Sequence, residues 1–324
     1  MRAPDFWRHG ASAFWPTLLA PAAFFYRLGF LARAGTVRPQ RASIPVICVG
    51  AATLGGAGKT PLTSALARRL RQQGRKVHIV TRGYGGSERG PLLVDPGRHA
   101  ASDVGDEALL LLQAAPTWVA RDRAAGARSA AAAGADLVLL DDGLQNPTIA
   151  KTFSFLAVDG TTGFGNGRLL PAGPLREPVA AAAARCQAAV IIGKDETGVA
   201  AQLPASLPRL NARIEPIGSD ALKARRWFAF CGLGTPAKFR RALEEIGLDL
   251  AGWREFPDHH RYSDRELAGL RTEASRLTAG LLTTRKDWVR LRPDDRPGIT
   301  PLDIVLRFDE EAELDRLLRS IAAR

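Results

Sequence analysis

The stretch Gly55-Gly56-Ala57-Gly58-Lys59-Thr60 decides the fold of this chain, because an apolar run precedes it and an amphipathic run follows it. Residues 44–49 read as a buried strand, and residues 61–71 carry leucines at helical spacing. A strand, a glycine-rich turn and a helix in this order form a loop whose backbone N–H groups face a phosphate. In such a loop Lys59 reaches the outer phosphates and Thr60 can bind a magnesium ion. We therefore predict a nucleoside triphosphate site made of Thr53, Leu54, Gly55, Gly56, Ala57, Gly58, Lys59 and Thr60.

The composition is that of a folded soluble protein with a strong positive charge. Of the 324 residues, 46% are hydrophobic and 24% are charged, which argues against a disordered chain. The net charge of +12 favours an acidic partner, namely a nucleic acid, an anionic membrane surface or a phosphorylated substrate, unless it reflects an arginine-rich genome. Cys48, Cys186 and Cys231 stand among apolar residues without metal-ligand spacing. They predict free thiols in a reducing compartment.

Residues 1–40 form an apolar N-terminal segment that we predict to associate with a membrane. No residue is charged between positions 10 and 26, and aromatic and leucine side chains crowd the region. A spanning helix needs about 20 apolar residues, and Pro16, Pro21 and Arg27 interrupt this run. Two short kinked helices in the bilayer interface, with arginines facing lipid phosphate, fit better. The alternatives are a signal peptide cleaved near residues 32–34 and a helix buried against the same chain.

The rest of the chain alternates between strand and helix patterns. After the glycine-rich turn, the predicted strands are 76–81, 117–120, 136–140, 154–158 and 188–192, and the predicted helices are 107–113 and 123–133. A second block has predicted strands at 227–231 and 280–284 and predicted helices at 236–246 and 264–277. This order is typical of α/β proteins with a parallel sheet, whose ligands bind at the carboxyl ends of the strands.

The predicted fold is therefore α/β, a P-loop NTPase-like parallel sheet domain with a second, smaller α/β domain joined by a two-stranded hinge. Extended patterns before and after the second block supply the hinge. The predicted bounds are 41–208 for the nucleotide-binding domain, 217–299 for the smaller domain, 209–216 and 300–308 for the hinge strands, and 309–324 for a C-terminal helix.

Acidic residues stand at chain positions that suit the predicted phosphate site. Asp141 and Asp142 follow an apolar strand and favour a magnesium site facing the phosphate loop, with a polar strand exit as the alternative. Asp106 opens a leucine-rich helix. From spacing alone, Asp106 is predicted to cap that helix rather than to act in catalysis.

Two later segments carry further charged groups. Residues 166–178 form a rigid loop in which Arg176 could clamp a phosphoryl group, with a plain surface loop as the alternative. His259 and His260 are adjacent, and neighbouring side chains point apart on a strand, which argues against a two-histidine metal site. We favour one histidine reaching an acid across the domain cleft.

Along nearly the whole chain, these motifs resemble one family, the tetraacyldisaccharide 4'-kinases of lipid A synthesis in Gram-negative bacteria. The Asp-Asp-Gly-Leu-Gln string and the proline-glycine-arginine loop are specific to it, whereas a phosphate loop alone is not. Like this chain, the family lacks the usual phosphate-loop glycine at the position of Thr53. The matching stretches are 55–61, 81–85, 105–107, 141–145, 167–177, 258–259 and 284–287.

The resemblance implies transfer of the γ-phosphoryl group of ATP to the 4'-hydroxyl of an acylated glucosamine disaccharide 1-phosphate. It implies Asp106 as the general base, against the capping interpretation, with His259 orienting it. It also implies phosphate contacts and Mg²⁺ ligands. The phosphate contacts would be Lys59, Thr60 and Arg176, and the metal ligands would be Thr60, Asp141, Asp142 and Glu177.

The resemblance also implies a location, the cytoplasmic face of the inner membrane. There the N-terminal segment would meet the anionic surface that holds the acylated substrate, and no nucleic acid is expected as a partner. Two positions depart from the family, which usually has asparagine at Ala51 and histidine at Asn146. Neither change removes a cation or a magnesium carboxylate, so we expect activity to survive.

Other functions remain open to a chain with a phosphate loop. A P-loop ATPase or GTPase acting as a switch or assembly factor is the main alternative. For a GTPase, Arg285-Lys286-Asp287 lacks the spacing of a guanine-reading Asn-Lys-x-Asp motif. A nucleic-acid-binding ATPase would draw on the positive charge, but the aromatic residues concentrate in the N-terminal segment rather than on a basic face.

Overall fold

Strands from most of the chain length join in one twelve-stranded sheet. The structure is a computed structural model and describes residues 4–322. The strands are β1 (Val46–Gly50), β2 (Val77–Thr81), β3 (Leu92–Leu93), β4 (Thr117–Val119), β5 (Leu137–Asp141), β6 (Phe153–Asp159), β7 (Ala188–Ile192), β8 (Arg209–Ile217), β9 (Trp227–Cys231), β10 (Leu250–Glu255), β11 (Gly280–Thr284) and β12 (Ile299–Phe308).

Helices cover both faces of this sheet and form the N-terminal segment. Short 3₁₀ helices lie at Asp5–Trp7 and Pro293–Asp295. The α-helices are α1 (Phe14–Leu18), α2 (Ala20–Thr36), α3 (Lys59–Gln72), α4 (Ala101–Val104), α5 (Asp106–Leu111), α6 (Arg123–Ala132), α7 (Val179–Ala183), α8 (Val199–Gln202), α9 (Ser219–Leu222), α10 (Pro236–Ile246), α11 (Asp264–Arg276), α12 (Arg285–Trp288) and α13 (Glu311–Ala322).

The sheet topology puts the phosphate loop at the middle of one sheet edge. The strand order is β10-β9-β11-β12-β8-β7-β6-β1-β5-β2-β4-β3. β1 pairs in parallel with β5 on one side and β6 on the other. The loop that follows β1 therefore lies beside the carboxyl ends of β5 and β6, where parallel sheets bind their ligands.

Two antiparallel pairings interrupt an otherwise parallel sheet. β3 pairs with β4 at one edge. β8 and β12 form a long antiparallel ladder, from Asp303 opposite Ile217 to Phe308 opposite Ala212. This ladder connects the strands around the phosphate loop to β9, β10 and β11. The mostly parallel α/β class is the one predicted, while the predicted domain bounds stay a prediction.

The buried apolar side chains form separate clusters on the faces of the sheet. One face of the larger part packs leucines of α3 and α13, such as Leu62 and Leu314, against the sheet. On the opposite face, α6 and α7 pack against sheet residues such as Val138. Around β9 the chain alternates between two further clusters, because Trp227 faces α10 and Phe228 faces α11. These layers explain the apolar strands and the amphipathic helices of the sequence.

The predicted strands and helices agree with the structure to within a few residues, and the differences are local. The short strands β3 and β10 were not predicted, since each lies at a sheet edge and has no sustained apolar pattern. The leucine-rich helix begins at Asp106 rather than after it. The adjacent histidines lie in a turn after β10 and not on a strand, and His259 adopts a positive φ of 57°.

The N-terminal segment forms a short helix and a longer one. The chain turns at Leu19, between α1 and α2, and α2 continues through Arg27, so it is longer than predicted. Within residues 4–322, no helix has both the length and the apolar character needed to cross a membrane. Apolar side chains nevertheless face outward on both helices. The exposed ones are Phe14, Trp15, Leu18, Phe24, Phe25, Leu28 and Leu31.

Contacts near the N-terminus attach this segment to the rest of the molecule. The Trp7 indole N–H donates to the Pro171 carbonyl at 3.1 Å. The Asn166 side-chain amide donates to the Phe6 carbonyl at 2.9 Å, and its backbone N–H donates to the Trp7 carbonyl at 2.8 Å. The apolar segment is therefore joined to the proline- and glycine-rich loop that carries Arg176.

Candidate functional site

The phosphate loop wraps around the N-terminus of α3. Gly58 precedes the helix with a φ of 73°, a conformation that favours glycine. A Cβ atom at Gly58 would lie 2.6 Å from Cδ1 of Ile192, so the loop packs directly against β7. Lys59 and Thr60 are the first residues of the helix, where N–H groups lack partners within the helix. This is the geometry that binds phosphate.

A second chain segment holds the phosphate loop from the side. The Leu54 N–H donates to the Pro174 carbonyl at 2.8 Å, and Thr53 bridges Leu175 in antiparallel fashion. The Arg176 N–H donates to the Ala52 carbonyl at 2.7 Å. The proline-glycine-arginine loop is therefore not a free surface loop, because its backbone fixes Arg176 beside the phosphate loop.

Asp142 forms ion pairs with two cations of the site. Its carboxylate accepts a bidentate pair from Arg176, at 2.8 and 3.0 Å, and its Oδ1 lies 3.8 Å from Lys59 Nζ. Burial opposes ionisation of Asp142, but the charges of Lys59 and Arg176 outweigh it and lower the pKa of this carboxyl. Asp142 also has a positive φ of 51°, a strained backbone for a residue other than glycine. Lys59, Arg176 and Asp142 thus lie together at the sheet edge.

Asp141 is a buried acid of the site, only 1% exposed. Its Oδ1 accepts from the Thr63 hydroxyl at 2.9 Å, and its buried Oδ2 has no hydrogen-bond partner among residues 4–322. Burial, reinforced by the carboxylates of Glu107 and Asp142, raises the pKa of Asp141 to about 7. An unpaired carboxylate oxygen next to a phosphate loop suits a cation. Thr63 was missed by the sequence analysis, although it lies three residues after Thr60.

Glu177, the fourth predicted metal ligand, makes other contacts. It is 1% exposed, and its Oε1 accepts from the side-chain amide of Gln145 at 2.9 Å and from the Arg185 guanidinium. Gln145 in turn donates to the Ala51 carbonyl at 2.8 Å. Within residues 4–322, no three His, Cys, Asp or Glu side chains are gathered as a metal-binding group. The structure therefore brings Asp141 and Asp142 to the phosphate loop and engages Glu177 in a network behind it.

Asp106 and His259 meet across the cleft between the two parts of the chain. His259 Nδ1 lies 2.9 Å from Asp106 Oδ2, although 153 residues separate them in sequence. Asp106 is 4% exposed, whereas the His259 side chain is 34% exposed and lies at the cleft wall. The Tyr84 ring lies edge-on to the His259 ring at 5.6 Å. The predicted acid–histidine contact is present, and its catalytic role stays a prediction.

Asp106 also takes part in the local turn. Its Oδ1 accepts from the Glu107 N–H at 2.9 Å, a contact at the start of α5. Gly105, immediately before it, has a φ of 83°, and a Cβ there would lie 2.4 Å from the Tyr84 carbonyl oxygen. The capping interpretation and the approach of His259 are thus compatible, because each uses a different carboxylate oxygen.

Two cations near Asp106 were not assigned from the sequence. Arg290 donates to Asp106 Oδ2 from Nε at 2.8 Å and from Nη2 at 2.5 Å. Lys286 Nζ lies 4.0 Å from the same oxygen and 3.8 Å from Asp258 Oδ1. Lys286 stands in the matched motif 284–287, but Arg290 lies three residues beyond it. Only its i,i+3 spacing from Asp287 could have indicated Arg290.

One cleft of about 2570 Å³ connects these groups. Its wall runs from Lys59 and Arg176 at the phosphate loop to His259 and Lys286 in the second part of the chain. The N-terminal segment supplies another stretch of this wall. Basic side chains line it as well, namely Arg82, Arg121, Arg123 and Arg185, and the N-terminal contributors include Trp7, Tyr26 and Phe30.

The two departures from the family pattern have local explanations. Ala51 is fully buried, and only its carbonyl, which accepts from Gln145, contacts the site network. The Asn146 side-chain oxygen accepts from the N–H and hydroxyl of Thr148, at 2.8 and 2.7 Å, and so forms a turn. Neither side chain forms a hydrogen bond or ion pair with Lys59, Asp141 or Asp142 among the described residues.

Comparison with known proteins identifies relatives along the whole chain. The chain is 48% identical over 323 residues to a tetraacyldisaccharide 4'-kinase of Rhodospirillum centenum, covering 98% of this chain and 96% of the relative. It is 50% identical over 320 residues to one of Gluconacetobacter diazotrophicus, covering 98% and 97%.

A solved structure and a family description agree with these relatives. A crystal structure described as the "apo" form of LpxK from Aquifex aeolicus in complex with ATP matches with a TM-score of 0.78 and 28% identity. The match covers 94% of this chain and 99% of that one, so the two share the predicted fold class. The description LpxK, tetraacyldisaccharide-1-P 4'-kinase, matches residues 15–323. The chain belongs to the tetraacyldisaccharide-1-P 4'-kinase family.

Proposed function

We propose that this chain transfers the γ-phosphoryl group of ATP to the 4'-hydroxyl of an acylated glucosamine disaccharide 1-phosphate. One observation carries the proposal: the phosphate loop and His259, which contacts the buried Asp106, line the same cleft from opposite parts of the chain. A kinase needs this arrangement, because the phosphate donor and the activated hydroxyl must meet in line. Family membership and the ATP named for the related crystal structure support the same reaction.

The triphosphate would be held by the loop and by two cations. The N–H groups at the start of α3 face the phosphates, and Lys59 extends from the same turn. Arg176, held by its backbone to Ala52, provides a planar guanidinium that binds two phosphate oxygens at once. As charge spreads over the transferring group, these cations stabilise it.

Asp106 would act as the general base for the acceptor hydroxyl. A sugar hydroxyl is a weak nucleophile, so a carboxylate takes its proton as the bond to phosphorus forms. His259 contacts the carboxylate at 2.9 Å and lies at the cleft wall, where it can orient both the base and the incoming hydroxyl. The acid and the histidine come from different parts of the chain, so the pair exists only when the two parts are together.

Mg²⁺ fits the site through Thr60, Asp141 and Asp142. The buried, unpaired Oδ2 of Asp141 is the observation that favours a cation there. Mg²⁺ commonly takes one or two carboxylates and fills its other positions with phosphate and water oxygens, so a larger protein cluster is not required. When bound, the ion would neutralise charge on the β- and γ-phosphates. The contacts of Glu177 with Gln145 and Arg185 favour a supporting part for that residue.

The N-terminal helices would place the cleft at a membrane surface. Their exposed aromatic and leucine side chains favour the apolar layer of a bilayer interface, and nearby arginines favour anionic lipid. Tyr26 and Phe30 of α2 also line the cleft, so the bound lipid could pass from the bilayer to the site without leaving the protein surface. An anionic inner-membrane surface is therefore the partner we propose.

The test is a transfer assay with the purified chain. We would incubate it with γ-labelled ATP, Mg²⁺ and the acylated disaccharide 1-phosphate, and locate the label. Label at the 4'-position, absent when the disaccharide is omitted, is the expected result. ATP hydrolysis that the lipid does not stimulate, with no labelled lipid, would contradict the proposal and favour an ATPase switch.

A further inference from the structure

Arg290 lies between the two parts of the molecule and is held on both sides. Its side chain is 5% exposed and that of Asp106 is 4% exposed. Nε and Nη2 of Arg290 donate to Asp106 Oδ2, at 2.8 and 2.5 Å. Nη1 donates to Asp287 Oδ1 at 2.8 Å and to the Gly232 carbonyl at 2.9 Å. All three guanidinium nitrogens therefore have partners. The two partners of Nη1, both in the second part of the chain, fix the orientation of the guanidinium group.

Asp287 fixes the orientation of Arg290. It is fully buried, and its Oδ1 also accepts from the Gly232 N–H at 2.9 Å and the Tyr262 hydroxyl at 2.8 Å. Its Oδ2 accepts from the Thr284 hydroxyl at 2.5 Å. With these donors the Asp287 carboxylate has a single orientation, and the carboxylate in turn orients the guanidinium three residues later.

An apolar contact accompanies the ionic one. Val289, the neighbour of Arg290, is buried in a cluster with Val104, Ala108 and Leu109. The last two residues belong to α5, the helix that begins with Asp106. The segment carrying Arg290 is therefore packed on the helix carrying the acid. The Arg290–Asp106 ion pair is thus part of a packed interface, unlike an ion pair between exposed surface side chains.

We propose that Arg290 is a positioning residue for phosphoryl transfer, acting on the substrate hydroxyl only through Asp106. The inference rests on the function proposed above. Arg290 and His259 contact Oδ2 while the Glu107 N–H donates to Oδ1, so both oxygens of the Asp106 carboxylate are held in one orientation beside His259. Because a small misplacement of a catalytic group can cost about 100-fold in rate, a fixed carboxylate matters.

The charges facing Asp106 predict how the pH profile responds. Burial alone would raise the pKa of Asp106, but the hydrogen bond from His259 and the charges of Lys286 and Arg290 outweigh it and lower the pKa. Other charged groups on the elements packed around Asp106 include the Glu107 carboxylate beside it, Asp103 on α4, Arg285 on α12, and Asp258, Asp287 and Glu266 in the second part. Loss of the Arg290 cation therefore raises the pKa of Asp106. As the pH is lowered, the rate of the variant then begins to fall at a higher pH than the rate of the wild type.

The first experiment compares Arg290→Gln with Arg290→Lys in the transfer assay. We expect kcat of the glutamine variant to fall about 10- to 100-fold, while KM for ATP changes less than about threefold. Lysine keeps a cation and should restore part of the rate and of the wild-type pH profile. Arg292→Gln is the matched control, because Arg292 is 65% exposed and pairs with Asp264 and Asp295 away from the cleft.

The second experiment asks whether Arg290 acts through the acid. In the Asp106→Asn background, Arg290→Gln should add little further loss, because its target has already changed. An equal loss in both backgrounds, or a pH profile that does not move, would overturn the proposal and leave Arg290 a purely structural residue. Thermal unfolding of each variant identifies any that fail to fold. If Arg290→Gln does not fold, Arg290→Lys is compared with the wild type instead.

A measurement without turnover separates this inference from the proposed function. The ¹³C resonance of the Asp106 carboxyl, assigned with Asp106→Asn, would be titrated in the wild type and in Arg290→Lys and Arg290→Gln. An upward shift of the pKa of Asp106 in the glutamine variant supports the proposal even before a substrate is added. No shift would refute it even in an active kinase, whereas failure of the wild type to label the lipid would refute the kinase function.

Discussion

Lys59 and Arg176 both approach Asp142, at 3.8 and 2.8 Å, in a partly buried corner of the cleft. A triphosphate entering this corner offers the same cations several oxygens in place of one carboxylate. In the proposed complex these cations would pair with phosphate oxygens and Mg²⁺ would take their place beside Asp142, so binding would exchange ion-pair partners rather than bury unpaired charge. At the scale of single residues, one carboxylate orients the two cations that we propose to bind the triphosphate.

Replacing the proposed base should separate chemistry from binding. Asp106→Asn keeps the size of the side chain and an oxygen for its neighbours but cannot take a proton. We expect kcat to fall about 10²- to 10⁴-fold with KM for ATP nearly unchanged, as for loss of a general base. Steady-state kinetics with varied ATP and lipid measures this. Asp103→Asn is the control, since the Asp103 carboxylate accepts from the Ala100 N–H and the Ser102 hydroxyl at the neighbouring short helix. A parallel loss of ATP affinity in Asp106→Asn would point instead to a binding role.

The sequence indicated single residues where they stand in local motifs and missed those that depend on distant contacts. Lys59, Asp141 and Asp142 follow apolar strands, so their position at the sheet edge could be predicted from the chain itself. Arg290 could not, because its partner Asp106 lies 184 residues away and arginines are frequent in this chain. The residues alone predicted that one of the two adjacent histidines reaches an acid across the cleft. The choice of His259 and its pairing with Asp106 came from the family resemblance, which carries long-range information that periodicity lacks.

Asp141 should make the stability of the ligand-free protein depend on pH. An acid whose pKa rises on folding binds more protons in the folded state, so stability falls as pH rises between the unfolded value, about 4, and the folded value. Since burial raises the pKa of Asp141 to about 7, the loss spans that window. Asp141→Asn should remove this pH dependence. Its effect on the free energy of unfolding, relative to the wild type, should therefore be more favourable at pH 8 than at pH 5.5 by on the order of 2 kcal/mol. Urea unfolding at both pH values tests this, and an equal effect at each would contradict it.

At the scale of secondary structure, the site is assembled where elements begin and end. β1 ends at the phosphate loop, β5 ends at Asp141, and α3 and α5 begin at Lys59 and Asp106. The bounds of these elements were predictable, because apolar strands and amphipathic helices repeat with different periods. β10 was not, since it lies at a sheet edge where polar and glycine residues interrupt the pattern. Edge strands therefore limit what the sequence alone can predict.

The turn between β1 and α3 should tolerate no side chain at Gly58. Gly58→Ala combines a φ of 73° with a Cβ only 2.6 Å from Ile192 Cδ1. We expect a loss of stability of about 1–2 kcal/mol and at least a tenfold rise in KM for ATP, because the loop must move. Gly56→Ala is the matched control, since its φ is also positive at 62° but no atom of the described residues outside the adjoining backbone lies within 4 Å of the added Cβ.

A second substitution checks the cause. Ile192→Ala removes the atom that an alanine at position 58 would meet, so it should restore part of the ATP affinity lost in Gly58→Ala. Isothermal titration with ATP and thermal unfolding measure the two effects. Equal damage from Gly58→Ala and Gly56→Ala, with no rescue by Ile192→Ala, would show that backbone strain alone matters.

At the scale of the whole molecule, three parts of the chain meet at one cleft. The phosphate loop belongs to the larger part of the sheet, His259 and Lys286 come from the smaller part, and Tyr26 and Phe30 come from the N-terminal helices. The β8–β12 ladder is the antiparallel connection between the two parallel parts of the sheet. The proposed phosphate-donor site, base and lipid-facing wall would therefore come together only in the assembled molecule.

The exposed face of the N-terminal helices should control membrane binding without controlling the fold. Phe24 and Phe25 are 58% and 69% exposed, so replacing both with serine removes apolar surface at little cost to packing. We expect the double variant to lose at least about tenfold in binding to vesicles with anionic lipid, because aromatic anchors and arginines act together. Sedimentation with vesicles of phosphatidylglycerol and phosphatidylethanolamine measures this, and high salt should weaken the wild type. Ile217→Ser, 50% exposed on the β8–β12 ladder, is the control; equal loss there, or none in the phenylalanine variant, would place the membrane contact elsewhere.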